Sequence, residues 1–316
     1  MSWSPPDEIR QKTKVMSRIH DALKRAEKER SIYKGIGIEE AYAPRPIPES
    51  PSEDNVSFYP PHQGAAPGGL DPILAQRLLC TWKPDTTTML FFGSEEPAHG
   101  AEEFRTLRSR LYQLRDERTL RKILVTSSLP KEGRSFVTAN LAQVLARQPG
   151  CRTLLVDGDL RNPSLHMALG TSSTPGLTEF LSGEVEELGI IQRGQMGNLF
   201  FIPSGRPVSG QSEIISNGRL KLLLDRLEPL FEWIIIDSPA ALPVSDSGLM
   251  AKHCDGVVMV VRSNGTPFDI ARKTLEKFRP EHLAGVVLNG VPTETQTETE
   301  RYFRTSQDGP ASQETP

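Results

Sequence analysis

Six short apolar runs rich in β-branched residues constrain this chain more than any other feature. They are Lys122 to Ser127, Thr153 to Asp157, Leu199 to Pro203, Trp233 to Asp237, Gly256 to Val261 and Ala284 to Leu288. Continuous apolar character marks strands buried on both faces, as in a parallel sheet. Between them, Ala139 to Arg147, Gly218 to Leu230 and Ile270 to Phe278 carry apolar residues at helical intervals. Strand and helix therefore alternate, which predicts an α/β fold with a doubly wound, mainly parallel sheet. Ligands of such sheets sit beyond the carboxyl ends of the strands.

These runs occupy residues 73–291, enough for one domain within 316 residues. Residues 1–40 hold an amphipathic helical segment, with Met16, Ile19, Leu23 and Ala26 at helical spacing among charges between Lys14 and Arg30. Its apolar face is too narrow to fold alone. Residues 41–72 read as a flexible linker, because Pro44, Pro46, Pro48, Pro51, Pro60 and Pro61 remove backbone donors and fix φ. Residues 292–316 are polar, with almost nothing to bury, and read as a disordered tail.

The net charge of -3, without long basic clusters, argues against nucleic acid as a partner. Cys80, Cys151 and Cys254 are far apart and in no metal-binding or redox spacing, so three buried, reduced thiols are expected. No apolar run approaches the roughly 20 residues that span a bilayer, and the first residues do not resemble a secretory signal. The cytoplasm is the expected compartment.

The strand Ile123 to Thr126 leads through Ser127-Ser128-Leu129-Pro130-Lys131-Glu132-Gly133-Arg134-Ser135 into the helical pattern from Val137 to Ala142. Strand, loop and helix in that order are the context of a phosphate-binding P-loop. The amides of Lys131, Glu132, Gly133, Arg134, Ser135 and Phe136 would cradle phosphate oxygens, and Ser135 stands where a hydroxyl ligates Mg²⁺. The standard pattern has Gly at Ser128 and Lys at Arg134, so the loop alone reads equally well as an ordinary strand-to-helix turn. Two further strand ends shift that balance. Leu154-Leu155-Val156-Asp157-Gly158-Asp159 ends in two acids and Ile234-Ile235-Ile236-Asp237-Ser238-Pro239 in one. A phosphate cradle, a hydroxyl and acids on neighbouring strand ends are the parts that phosphoryl transfer needs.

With these motifs in order, residues Leu70 to Val291 resemble the bacterial tyrosine kinases, cytoplasmic autokinases of capsule and exopolysaccharide export. The matching pieces are Glu102-x-x-Arg105-x-x-Arg108, the loop through Gly133-Arg134-Ser135, Leu154 to Pro163 (LLVDGDLRNP) and Ile234 to Asp246 (IIIDSPAALPVSD). The resemblance implies a P-loop fold binding ATP and Mg²⁺. It assigns Ser135, Asp157 and Asp237 to the metal, Asp157 and Asp159 to catalysis, and Arg134 to the position of the phosphate-binding lysine. It further implies a homo-oligomer with Glu102, Arg105 and Arg108 at subunit contacts, and a membrane-embedded polysaccharide co-polymerase or activator that recruits the chain to the inner face of the membrane. Asn289 resembles an adenine-contacting position in related ATPases, while a turn-forming Asn before Gly290 remains equally open. The segment from Met16 resembles the start of a soluble subgroup, which would make residues 1–15 an upstream extension.

Three departures separate this chain from that pattern. Arg134 replaces the lysine, and the two are not interchangeable, so catalysis is put in question more than binding. Lys131 stands where many relatives have Gly. The C-terminal tyrosine cluster is missing, leaving Tyr302 in the tail with Tyr33, Tyr42 and Tyr59 near the other end as candidate phosphoacceptors. Three alternatives stand beside an autokinase. One is a nucleotide-sensing adaptor of the same export system. Another is a partitioning or division-site ATPase, disfavoured by Leu129 where those proteins carry a second lysine. The last is a dinucleotide oxidoreductase, disfavoured because no Gly-x-Gly-x-x-Gly follows the first strand.

Overall fold

The computed structural model describes residues 80–92 and 100–292. The expected helix of residues 14–30, the linker, the tail beyond Pro292 and Tyr33, Tyr42, Tyr59 and Tyr302 lie outside the described residues.

Seven strands form one sheet in the order β3-β4-β2-β5-β1-β6-β7. They are β1 (Lys122–Ser127), β2 (Thr153–Asp157), β3 (Gln192–Arg193), β4 (Leu199–Ile202), β5 (Trp233–Asp237), β6 (Gly256–Arg262) and β7 (Leu283–Asn289). Every pairing is parallel except that of the short edge strand β3 with β4. The six expected strands are all present, within a residue or so at their ends.

Alternate side chains of these strands supply two cores. Ile123, Val125, Leu155, Phe201, Ile235 and Val258 pack beneath α1 (Ala101–Glu117) and α2 (Arg134–Ala146), which bring Phe104, Leu111, Val137, Leu141 and Leu145. Leu124, Leu154, Val156, Ile202, Ile234 and Ile236 face the other way. The short helix α3 (Leu165–Leu169) adds Leu165 and Leu169 to the first core, while α4 (Leu177–Leu181), α5 (Gln211–Ser216), α6 (Arg219–Leu227) and α7 (Asp246–Ala251) sit against the second, where α4 supplies Phe180, α6 Leu223 and α7 Met250. Finally α8 (Phe268–Leu275) covers Met259 and Val261 with Ala271 and Leu275. Helices on both faces make the sheet doubly wound. Each fully buried Leu, Ile or Phe contributes about 1.5–3 kcal/mol of transfer free energy, which explains why these runs are apolar throughout.

Two details differ from expectation. Cys151 and Cys254 are buried, but Cys80 is half-buried. α2 also begins at Arg134, three residues before the helical pattern that starts at Val137.

Candidate phosphate-binding site

The sheet order places the carboxyl ends of β1, β5 and β2 side by side, and everything that follows sits there. β1 ends in the loop that turns into α2. Gly133 caps that helix with φ +85°, a left-handed value, and a Cβ on it would lie 1.9 Å from the Asn289 side-chain amide. Glycine is therefore required twice over. Lys131, with φ +67°, adopts the same region without being glycine.

Partners from distant strands and helices hold the loop. Asn289 Nδ2 donates to the Glu132 carbonyl at 3.0 Å, so this residue at the end of β7 tethers the loop in addition to preceding the left-handed turn at Gly290. The buried Glu132 carboxylate accepts from the Leu129 N–H at 2.9 Å and from the Thr266 hydroxyl. Arg262 donates to the Lys131 carbonyl at 3.0 Å. Ser128, fully buried where the usual pattern has Gly, sets its hydroxyl 2.9 Å from that of Thr274 on α8. The Phe136 ring turns away from the loop and packs edge-on against Phe104 of α1 at 5.8 Å, so only its backbone can serve a ligand.

The acids converge from the other two strands. Asp157 and Asp237 are register partners at the ends of β2 and β5, both fully buried. Burial pushes the Asp157 carboxyl well above the usual carboxylate range, and neighbouring Asp237 pushes it further. Burial also raises Asp237, against the pull of Arg134 and Ser135. Asp157 Oδ2 accepts the first amide of α3, from Leu165, at 3.1 Å, while its Oδ1 is buried without a partner. Asp159 Oδ1 caps the turn by accepting from the amides of Arg161 and Asn162 at 3.2 and 3.0 Å.

Arg134 ties loop and acids together. Its Nε donates to Asp237 Oδ1 at 2.8 Å and its Nη2 to Asp159 Oδ2 at 2.7 Å, with the Arg134 side chain only 11% exposed. Burial alone would lower the guanidinium pKa, and the two carboxylates more than offset it. Ser135 Oγ donates to Asp237 Oδ2 at 2.6 Å. Among the described residues, no backbone N–H from Lys131 to Phe136 donates to a protein acceptor, and neither does Arg134 Nη1. Unspent donors at a helix N-terminus fit a bound polyphosphate.

The structure thus brings Arg134, Ser135, Asp157, Asp159 and Asp237 into one cluster, with the amides of Lys131, Glu132 and Gly133 beside it. It adds a pair to which the sequence reading gave no role. Arg161, also within LLVDGDLRNP, makes a two-pronged ion pair with Asp246, at 2.7 and 3.3 Å, and Ser212 donates to the same carboxylate. Both ends of that pair lie in the matched motifs, which was the available signal. On α1, Glu102 and Arg105 pair at 2.7 Å on an exposed face. Arg108 instead reaches back to the Val144 carbonyl of α2 at 3.3 Å, and burial lowers its pKa.

A phosphate-binding loop, a paired-acid strand and a second acid strand at the centre of a doubly wound sheet define a P-loop nucleotide-binding protein. The chain is 31% identical over 199 residues to the tyrosine-protein kinase YwqD of Bacillus subtilis, a match covering 62% of this chain and 84% of that protein. It is 32% identical to the putative tyrosine-protein kinase EpsB of Ralstonia nicotianae, over 61% of this chain but only 26% of that longer protein. Among solved structures, the chimerical protein CapA2B2 superposes with a TM-score of 0.61 at 30% identity, covering 71% of this chain and 98% of the other. No protein-family model matches. This chain belongs to the bacterial tyrosine kinase family, whose members are ATP-dependent. Membership sets aside the partitioning and oxidoreductase alternatives.

Proposed function

We propose that this chain is an ATP-binding protein-tyrosine autokinase of capsule or exopolysaccharide biosynthesis, in which Arg134 favours nucleotide binding over rapid transfer. The observation that carries it is the cluster itself: unspent loop amides and Ser135 on one side, buried Asp157, Asp159 and Asp237 on the other, with Arg134 between them. Ser135 Oγ and Asp237 Oδ2 are the oxygens suited to Mg²⁺, which when bound neutralises charge developing on the phosphates. The raised pKa of Asp157 makes it the better proton acceptor for a tyrosine hydroxyl, and Asp159 keeps Arg134 in place.

Relatives named for kinase activity, for succinoglycan transport and as a CapA2B2 chimera support work beside a membrane-embedded partner. No helix among the described residues is long and apolar enough to cross a membrane, so recruitment from the cytoplasm by that partner suits this chain. Self-association would use the exposed Glu102 and Arg105 of α1. Sedimentation with ATP and Mg²⁺ should show an oligomer that Arg105→Glu weakens; a wild type that stays monomeric at every concentration refutes the contact.

A nucleotide-sensing adaptor is the second reading, favoured by Arg134 alone. Mass spectrometry after incubation with ATP separates the two. The kinase reading expects phosphate on Tyr33, Tyr42, Tyr59 or Tyr302. It does not expect phosphate on Tyr112, whose ring packs against Trp233 and whose hydroxyl, raised to about 12 chiefly by burial, sits 3.6 Å from Cys151 Sγ. Unmodified tyrosines alongside nucleotide binding favour the adaptor.

A further inference from the structure

We propose that Arg134 takes over from a divalent cation in holding the nucleotide, so that this site binds a nucleoside triphosphate with little dependence on Mg²⁺. The proposal rests on the phosphate-binding reading above and deepens it. A cation in such a site has two tasks during binding: it offsets the acids on the strand ends, and it presents positive charge to the phosphates. Arg134 does the first already. Its Nε and Nη2 engage Asp237 and Asp159 at 2.8 and 2.7 Å, each within ordinary charge-assisted range. A lysine has one ammonium at the end of its stem and cannot span both carboxylates while keeping a separate donor directed elsewhere.

The guanidinium retains that separate donor. Nη1 has no protein acceptor among the described residues, and it belongs to the same planar group that bridges the acids. The same residue opens α2, and the amides of the loop and of that first turn are likewise unspent. An arriving polyphosphate therefore meets a guanidinium N–H donor already fixed in position by the acids, with no ion to recruit. Withdrawing Arg134 to make room for Mg²⁺ would expose Asp159 and Asp237, 6% and 1% exposed, to each other without a counter-charge until the ion had shed water and seated. Mg²⁺ dehydrates reluctantly and demands near-octahedral geometry, so that exchange is slow to favour the metal. Mg²⁺ remains useful for the transfer step, where charge on the phosphates grows; binding does not wait for it.

Calorimetric titration of the full chain with a non-hydrolysable ATP analogue, in Mg²⁺ and in EDTA, tests this directly. The wild type should bind in both media with dissociation constants within about threefold of each other, and Arg134→Lys should lose about tenfold or more in EDTA, about 1.4 kcal/mol. A wild type that itself loses tenfold or more in EDTA overturns the proposal and leaves the nucleotide reading standing. No binding in either medium overturns both. The wild-type comparison needs no variant, so a poorly folding Arg134→Lys would not rescue the idea.

Discussion

The loop after β1 and the acid-bearing ends of β2 and β5 meet at the same site but are built in opposite ways. The acids are fixed by the sheet: parallel register sets Asp157 opposite Asp237, and both sit at the ends of fully buried strands. Little beyond the strands themselves is needed to place them. The loop is fixed by side chains from far along the chain, namely Asn289, Thr266, Arg262 and Thr274. Within this site the departures from the usual pattern fall in the loop, at Ser128, Lys131 and Arg134, and two of the three have a visible accommodation. Ser128 gains the hydroxyl of Thr274, and Arg134 gains two carboxylates. Lys131 keeps a left-handed backbone, and among the described residues its side chain has no compensating hydrogen bond or ion pair.

The two sides should therefore respond oppositely to losing a charge. Arg134→Ala leaves the two buried carboxylates of Asp159 and Asp237 without their cation, and stability should fall by about 3–5 kcal/mol, the usual loss when one partner of a buried pair is removed. Thermal unfolding of the variant reads this, and a midpoint equal to wild type would mean that the acids are neutralised some other way.

Asp157→Asn should do the reverse. The amide oxygen can still accept from Leu165, and one of two facing acids is gone. The folded carboxyl has a pKa raised above its ordinary value of 3.8, so the stability that its protonation gives is complete below that value and is lost as pH rises through the folded pKa. Above the folded pKa the wild type has lost it. There the variant should be more stable by about 0.5–2 kcal/mol, the scale common when a functional strain is relieved. The gain should shrink on acidification towards the ordinary carboxylate range, while phosphate transfer is lost. A variant less stable than wild type at every pH would show that the Asp157 charge is compensated.

The same contrast explains what the sequence disclosed. Buried strands announce themselves by continuous β-branched runs, and the acids at their ends come with them, so the sheet and Asp157, Asp159 and Asp237 were legible. β3, with two residues, and the five-residue helices α3 and α4 are too short to carry a period. The braces of the loop were hidden for another reason. Nothing local marks Thr266 or Thr274 as a partner of residues some 130 positions earlier or more, and Asn289 read equally as a ligand contact or a turn residue until its amide was found on the Glu132 carbonyl. The same holds for Arg134: its substitution was plain in the sequence, but its grip on two acids at once is a property of the assembled sheet.

That grip is central to the function proposed here. Phosphoryl transfer depends on charge placed to match the transition state, and a guanidinium committed to Asp159 and Asp237 matches the bound nucleotide better than the transferring phosphate. The most direct test is the rate of phosphate incorporation into tyrosine by wild type and Arg134→Lys under the same saturating ATP and Mg²⁺. The lysine variant should be faster by about tenfold or more, equivalent to at least about 1.4 kcal/mol of barrier. A wild type as fast as Arg134→Lys would contradict the account.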